Sequence, residues 1–411
     1  MRGVERASRP VSLLVVLLCL LGTMAVGAAA KSPCASGDWS DGRQYRWFCY
    51  SDIVPLLNTE QLAGGRLPFL RPCAQEAGVN CDEYPVLTMY FMRAALVVGG
   101  NTPSGFFVGN VLLLWICAAA IATWLYMLGG HPLRFVLAPT LLIYGFMNWD
   151  LFAVMFATGA LLAFSRKRDV WAGVLLGLGA GAKFYPLLLA VPLIADRLHD
   201  REPDGAIRIG WATAGTWFLV NLPFALASPS SWWTFFRFNS ARPADWDSLW
   251  YIGCQHVHVS AVCSHTSLIN LMSAAAFVLS LGLVWMLRQR REPAFARWTL
   301  GFPLLVLFLL SNKVYSPQYG LWLLPWFALG MTDLRAFVAF EVADVAVFIT
   351  RFSFFGRLSN VGGLPFGAFE IAIALRTAVL IWCVVEWVRR PSRELPQAEP
   401  AIGMDEAAAP A

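Results

Sequence analysis

The chain has 411 residues, of which 58% are hydrophobic and only 14% are charged. An average soluble domain carries about 25% charged residues, and a soluble protein of this length has too little interior to bury so much apolar surface. The composition therefore excludes an ordinary cytosolic enzyme and a disordered protein, and it indicates a polytopic membrane protein. The net charge of +5 does not indicate a nucleic-acid ligand, because Lys and Arg in membrane proteins sort by side of the bilayer.

A membrane-spanning helix needs about 20 mostly apolar residues, and twelve stretches of the chain are candidates. In chain order they are Val11–Ala30, Phe107–Leu128, Phe135–Met147, Leu151–Phe164, Val170–Ala182, Pro186–Ala195, Ile207–Ala227, Leu268–Leu287, Trp298–Leu310, Gly320–Met331, Ala336–Ile349 and Phe366–Val388. Several are short, which predicts helices that stop partway through the bilayer and border a water-filled cavity.

The distribution of Lys and Arg predicts which side each connecting segment faces. With the N-terminus inside, the inner segments hold 18 of these residues and the short outer segments hold six. This bias predicts cytoplasmic N- and C-termini. We expect one integral membrane domain over residues 1–388, with a large first outer loop at 31–106. The Pro-, Ala- and Glu-rich residues 389–411 are expected to form a disordered cytoplasmic tail.

The first apolar stretch allows two interpretations. Basic residues between Arg2 and Arg9, an apolar run and the Ala-rich end Val26–Ala30 also fit a cleavable signal peptide. The run is longer than a usual signal core of about 7–15 residues, which favours a retained first helix. Cleavage would leave eleven spans and the same sidedness for the others.

Six of the nine cysteines fall in predicted outer loops, an even number that suits disulfides in an oxidising compartment. Many pairings are possible, and sequence proximity favours, in falling order, Cys254–Cys263, Cys73–Cys81 and Cys34–Cys49. His256, His258 and His265 lie near two of these cysteines. Because the chain has no CxxC and no finger-like spacing, we predict no metal site.

No phosphate-binding loop, nucleophile elbow, HExxH or dinucleotide fingerprint is present. The polar residues concentrate instead on the predicted outer side. The first outer loop, about 76 residues, is too long for a passive connector. Its two amphipathic pieces, Val54–Leu62 and Val86–Val98, look like helices at the membrane surface. The loop is either a structural cap over the spans or a platform for a reactive group.

Two acidic residues have both a structural and a functional interpretation. Asp52 precedes the first amphipathic piece and Asp150 opens a helix, so either one is suited to be a helix N-cap. An ionisable group beside a membrane-level cavity is also a candidate for function. Four cations near the outer face either snorkel to the headgroups or form a cluster suited to a phosphate. These cations are Lys183, Lys313, Arg351 and Arg357.

Three stretches resemble the family 87 membrane glycosyltransferases, which include polyprenol-phosphate-mannose-dependent α-1,2-mannosyltransferases of phosphatidylinositol mannosides. They are CYSDIVPLLNTEQLAGGRL at residues 49–67, the segment 144–196 beginning YGFMNWDLFAVMFATG and containing GAKFYPLLLAVPLIAD, and NKVYSPQYGLWLL at residues 312–324. The pattern extends over most of the chain. The middle stretch and the SPQY segment are specific for the family and much less so for the acceptor. The additional loop cysteines are not part of the family pattern.

The resemblance implies an all-α GT-C architecture with surface helices in the first outer loop. It implies an inverting transfer, with Asp52 as general base, from a polyprenyl-phosphate sugar to a glycolipid or lipoglycan acceptor. Mannose is the expected sugar and arabinose the next choice. For the donor phosphate we favour Lys313, then Lys183 and Arg351, with Arg357 nearby. No cofactor is implied.

Other residues of these segments are candidates for sugar or acceptor binding. Tyrosine and amide groups can hydrogen-bond to sugar hydroxyls, and Trp149 or Trp246 can stack on a sugar face. The set consists of Asn148, Trp149, Asp150, Tyr185, Tyr315, Gln318 and Tyr319.

Two other classes of protein remain open. A transporter or flippase of a lipid-linked sugar would use the same cations and half-length helices, but the two halves of the chain show no internal repeat. The long outer loop also favours an enzyme. A non-catalytic scaffold, with Asp52 only a helix cap, is the third possibility.

Overall fold

A computed structural model describes residues 11–73, 81–257 and 260–391. All regular structure in these ranges is helical, which confirms the predicted all-α class. The α-helices are α1 (Leu13–Lys31), α2 (Arg43–Arg46), α3 (Ile53–Thr59), α4 (Val86–Gly99), α5 (Pro103–Met127), α6 (Leu133–Val136), α7 (Pro139–Tyr144), α8 (Asp150–Ser165), α9 (Asp169–Ala182), α10 (Tyr185–Leu188), α11 (Ala190–His199), α12 (Pro203–Ala227), α13 (Pro229–Ala241), α14 (Leu249–Val257), α15 (Ser260–Cys263), α16 (Thr266–Arg291), α17 (Gly301–Ser311), α18 (Leu324–Ala328), α19 (Leu334–Leu358) and α20 (Phe366–Arg389). The basic start of the chain, His258 and the predicted tail from Ser392 onward lie outside the described residues.

Five of the described helices are long and apolar enough to span a bilayer, namely α1, α5, α12, α16 and α20. The count of twelve spans is not confirmed. Several of the other predicted spans are short or broken. Phe135–Met147, for example, is divided into α6 and α7 just before Pro139, because a residue before proline avoids the helical conformation. Gly320–Met331 begins in the 3-10 turn Pro317–Trp322 and continues as α18.

The long connection between α1 and α5 contains both predicted amphipathic helices, as α3 and α4. Helix α4 packs closely against α5, since a Cβ on Gly99 would overlap the carbonyl oxygen of Gly105. Only glycine permits this approach, which fixes the end of the connection against the bundle.

The segments predicted to face inward meet at one end of the bundle. Arg288 donates to the carbonyl of Val388, Arg134 donates to the carbonyl of Thr332, and Trp298 N donates to Asp196. Because α8 and α9 form an antiparallel pair, the start of α8 and the end of α9 lie together at the opposite end. We call this opposite end, where the first connection folds over the helices, the cavity end.

Candidate functional site

A cavity of about 770 Å³ opens at the cavity end, between the first connection and the irregular chain that precedes α18. This volume is within the range of sites for drug-sized ligands. Eight of the predicted site residues line it, and they come from segments far apart in the sequence. These residues are Asp52, Asn148, Lys183, Tyr185, Lys313, Gln318, Tyr319 and Arg351.

Asp52 is not a helix cap in this structure. Its backbone is helical, with φ −69° and ψ −22°, and its side chain makes no capping bond to α3. N-caps need an extended backbone that turns the side chain back onto the helix. The neighbouring Ser51 hydroxyl accepts a hydrogen bond from the amide of Ile53 instead. The carboxylate of Asp52 is therefore directed to the cavity, and the cap interpretation is wrong.

Two donors hold the Asp52 carboxylate. The hydroxyl of Tyr50 donates to Oδ1 at 2.8 Å, and Nδ2 of Asn148 donates to Oδ2 at 2.8 Å. The amide of Asn148 is oriented by Trp149, whose backbone N–H donates to the Asn148 oxygen at 2.7 Å. The backbone amide of Asp52 also donates to the carbonyl of Met147 at 2.8 Å. The carboxylate consequently has a fixed position on the cavity wall.

A second tyrosine adjoins this carboxylate. Nδ2 of Asn148 also donates to the hydroxyl oxygen of Tyr84 at 2.8 Å, and Tyr84 lines the cavity. Burial, and then the negative charge of Asp52, raise the pKa of both Tyr50 and Tyr84 well above the usual value. Both phenols keep their protons at neutral pH. The hydroxyl of Tyr50 donates its hydrogen bond to Asp52, whereas the hydroxyl of Tyr84 can donate a hydrogen bond to a ligand in the cavity.

The cavity is also lined by Lys313, a cation without an acidic partner among the described residues. Lys313 is 5% exposed and donates to the carbonyl of Ser240 at 3.0 Å. No carboxylate of the described residues lies within 4.0 Å of its ammonium group. Burial, and then the charge of Arg242, lower the pKa of Lys313 to about 8. Arg242 lines the same cavity and pairs with Asp245 at 3.2 Å.

Lys183 and Asp150 form a buried ion pair. Nζ of Lys183 lies 2.7 Å from Oδ1 of Asp150, and the indole N–H of Trp322 donates to the same oxygen at 2.7 Å. Asp150 is fully buried and does not line the cavity. The charge of Lys183 is thus matched within the protein, and Asp150 is the first residue of α8 rather than its N-cap.

Two arginines of α19, Arg351 and Arg357, differ in placement. Arg351 lines the cavity and is paired with Asp247 and, at 4.0 Å, with Asp245. Burial raises the pKa of the Asp247 carboxyl to about 6, against the opposing effect of Arg351. Arg357 is exposed near the end of α19 and lies outside the cavity wall. The expected cluster of four cations is therefore not assembled, because only three of them reach the cavity.

Aromatic rings form a stack on the cavity wall. Trp322 lies between Tyr185 and Tyr319, with centroid distances of 4.1 Å to each ring. The tryptophans proposed for sugar stacking lie elsewhere. Trp149 is buried and donates to Asn110 at 2.6 Å, and Trp246 packs against Phe354.

Tyr315 does not reach the cavity either. Its ring is buried, and the guanidinium of Arg376 lies 3.8 Å from the ring centre. The predicted hydrogen bond from Tyr315 to a sugar is therefore not supported by its position.

Three disulfides are present, and they are the three pairs that sequence proximity favours. They are Cys34–Cys49, Cys73–Cys81 and Cys254–Cys263. The first joins the end of α1 to the residue before Tyr50. The described residues contain no group of three or more His, Cys, Asp or Glu side chains placed to hold a metal ion. His256 contacts Glu370 at 2.6 Å.

Comparison with known proteins gives a family match and a similarity to solved structures. The model of glycosyltransferase family 87 matches residues 87–311, which is 225 of the 411 residues. Among solved structures, the chain is similar to that of ArnT from Cupriavidus metallidurans bound to undecaprenyl phosphate. The identity is 11% and the TM-score 0.47, over 92% of this chain and 78% of that one. No curated protein sequence matches the chain.

Proposed function

The chain belongs to glycosyltransferase family 87, and from this premise we propose that it is an inverting, polyprenyl-phosphate-dependent membrane glycosyltransferase. The proposed reaction moves mannose to a glycolipid or lipoglycan acceptor on the extracytoplasmic face of the plasma membrane. The observation that carries the proposal is the position of the Asp52 carboxylate, which lines the same cavity as Lys313, a cation with no carboxylate within 4.0 Å in the part of the chain that the structure describes.

Asp52 is the proposed general base. A carboxylate on the cavity wall can accept the proton of an acceptor hydroxyl while the hydroxyl oxygen attacks the anomeric carbon of the donor. The new glycosidic C–O bond forms as the bond between the anomeric carbon and the phosphate oxygen breaks. The bonding electrons leave with the lipid phosphate, and attack from the opposite face inverts the configuration. Tyr50 and Asn148 orient the carboxylate for this transfer.

Lys313 and Arg242 are the proposed ligands of the leaving phosphate. Negative charge develops on the phosphate in the transition state, and cations already placed beside it stabilise that charge. Lys313 is the better candidate, because no carboxylate of the described residues pairs with its ammonium. Arg242 shares its charge with Asp245, and Lys183 and Arg351 are neutralised by their own aspartates.

The donor sugar is proposed to lie beside the Trp322 stack. Gln318 and Tyr319 line the cavity there and can hydrogen-bond to sugar hydroxyls. Tyr84 can donate a further hydrogen bond from the side of Asp52. The sequence does not distinguish mannose from arabinose in such a site, so mannose rests on the family resemblance.

The polyprenyl chain is proposed to leave the cavity beside α13. None of the residues of this helix is buried, and three of its phenylalanines line the cavity. Together with Phe308 they make an apolar wall next to Lys313, which suits a lipid whose phosphate is held there. The lining phenylalanines of α13 are Phe235, Phe236 and Phe238.

The orientation follows from the basic residues. The predicted inner segments meet at the end opposite the cavity, and with the positive-inside rule this supports our proposal of an extracytoplasmic cavity. Both termini are then cytoplasmic.

The decisive experiment is transfer of labelled mannose from polyprenyl-phosphate-mannose in membranes containing wild-type protein or Asp52→Asn. Asparagine is nearly isosteric and keeps the contacts to Tyr50 and Asn148 possible, so the fold should survive. We expect a loss of about 10²- to 10⁴-fold, the usual contribution of a general base. Full activity of the Asp52→Asn protein would refute the mechanism. Movement of lipid-linked sugar across vesicles without any transfer would establish a flippase instead.

A further inference from the structure

Lys31, the last residue of α1, is a buried cation with no part in the mechanism described so far. Its side chain is 2% exposed, and no carboxylate of the described residues lies within 4.0 Å of its ammonium. An ammonium removed from water without an ion-pair partner is costly to the folded protein. A charge at membrane level is therefore a candidate for function.

The ammonium of Lys31 binds the backbone next to the proposed base. Nζ donates to the carbonyl of Tyr50 at 2.8 Å and to that of Phe48 at 3.4 Å, and it lies 5.0 Å from the centre of the Phe348 ring. The chain is irregular here, and Phe48 has a φ of +54°, which is unusual for a residue with a side chain. Without Lys31, two carbonyls of this segment would lose their donor.

Tyr50 transmits this contact to Asp52. Its carbonyl is held by Lys31, its ring stacks on Phe352 with a centroid distance of 5.0 Å, and its hydroxyl donates to Oδ1 of Asp52. The Cys34–Cys49 disulfide connects the same segment to the residues that follow α1. The position of the Asp52 carboxylate is thus determined partly from the end of the first helix.

We propose that Lys31 is a positioning residue for Asp52, acting through Tyr50, and that α1 is accordingly a component of the active site. The inference rests on the proposed function, since it assumes that Asp52 is the base. Asp52 is also the acidic group whose charge acts on Lys31. The ammonium therefore contributes both two hydrogen bonds and an attraction toward the base.

The test compares Lys31→Met, Lys31→Gln and Lys31→Arg in the full-length protein, with steady-state transfer from polyprenyl-phosphate-mannose. Displacement of a catalytic group by about 1 Å can cost about 10²-fold in rate. We expect Lys31→Met to lower kcat by about tenfold to a hundredfold, with the donor KM changed less than about twofold because Lys313 is untouched. Lys31→Gln keeps a donor without the charge and should be intermediate, and Lys31→Arg should recover most of kcat.

A matched control is Arg288→Gln, which removes another buried cation that donates to backbone carbonyls, at the end remote from the cavity. It should lower thermal stability and leave kcat per folded molecule unchanged. Equal losses of kcat in Lys31→Gln and Arg288→Gln would overturn the inference, because both would then reflect stability alone.

Tyr50→Phe tests the second link without disturbing Lys31, and it covers the case in which Lys31→Met fails to fold. We expect kcat to fall and the donor KM to stay constant. An inactive Asp52→Asn together with normal kcat in Tyr50→Phe and Lys31→Gln would overturn the positioning role and leave the proposed function standing. An active Asp52→Asn would refute the proposed function itself.

Discussion

Asn148 donates a single amide nitrogen to two acceptors, Oδ2 of Asp52 and the hydroxyl oxygen of Tyr84, both at 2.8 Å. Its own oxygen accepts from the backbone of Trp149, so the amide has only one orientation that satisfies all its partners. The start of α8 thereby holds the proposed base from the side opposite Tyr50.

Replacing Asn148 by Leu should impair catalysis more than binding. A hydrogen bond to a charged group is worth about 1.5–3 kcal/mol, which is about tenfold to a hundredfold in rate if it serves to place the base. We expect kcat to fall within that range, measured as mannose transfer per folded molecule in detergent. Replacement of the exposed Asn101, which does not line the cavity, by Leu is the control for surface polarity, and an equal loss there would contradict the role of Asn148.

The pH dependence of donor use should report Lys313. Its pKa is lowered to about 8 by burial and by Arg242, so the ammonium is charged below pH 8 and loses its proton as the pH rises through that value. The donor KM should therefore increase above about pH 8. In Lys313→Arg the guanidinium stays protonated, so the increase should disappear from the same range of pH. If the donor KM of Lys313→Arg still increased above about pH 8, the titrating group would be one other than Lys313.

Two outer arginines give a further test of the phosphate site. Arg242→Ala removes a cation from the cavity wall and should raise the donor KM by about tenfold or more, since charge-assisted bonds are worth about 1.5–3 kcal/mol. Arg357→Ala removes an exposed cation outside the cavity and should leave the donor KM unchanged. A similar increase in both proteins would indicate a general effect of outer charge on the membrane-bound donor.

The Lys183–Asp150 pair should act on stability. Lys183→Met leaves a fully buried carboxylate unpaired, and loss of one partner of a buried pair costs about 3–5 kcal/mol. The double variant Asp150→Asn/Lys183→Met removes both charges and should recover much of this loss. Thermal denaturation in detergent measures the difference. A double variant less stable than Lys183→Met would contradict the pairing.

The Cys34–Cys49 disulfide should matter for activity as well as stability. It closes a loop of 15 residues, for which chain entropy predicts about 3 kcal/mol. The variant Cys34→Ser/Cys49→Ser should also lose transferase activity at temperatures where it remains folded, because the adjoining Tyr50 loses one of its anchors. The matched variant Cys254→Ser/Cys263→Ser lacks a disulfide whose cysteines do not line the cavity, and it should keep kcat.

Much of the site could be predicted from the order of the sequence. The pairing of Asp150 with Lys183 follows from two antiparallel helices joined by a short turn, which bring the start of one to the end of the other. The different positions of Arg351 and Arg357 follow from helix periodicity, since six residues are about one and two-thirds turns and place the two side chains on different faces. Neither relation requires a known structure.

Other features depended on tertiary contacts. Whether Asp52 caps α3 is decided by its backbone angles, and the residue type is equally good for either role. Trp149 and Trp322 are both buried, yet only Trp322 of the two lines the cavity. Sequence patterns do not distinguish Arg242 and Lys31 as site residues, because Lys313 and Tyr50 approach them only in the folded protein.

The covalent bond between Cys34 and Cys49 also bears on the stage of biosynthesis at which the protein can become active. In the proposed orientation, the segment with Asp52 is synthesised on the cytoplasmic side and reaches an oxidising compartment only after the first connection has crossed the bilayer. In this scheme the disulfide fixes the segment that contains Asp52 only after translocation. In that orientation a newly made chain still in the reducing cytoplasm would lack this bond, and maturation of the proposed active centre would be coupled to arrival at the membrane face proposed for the donor.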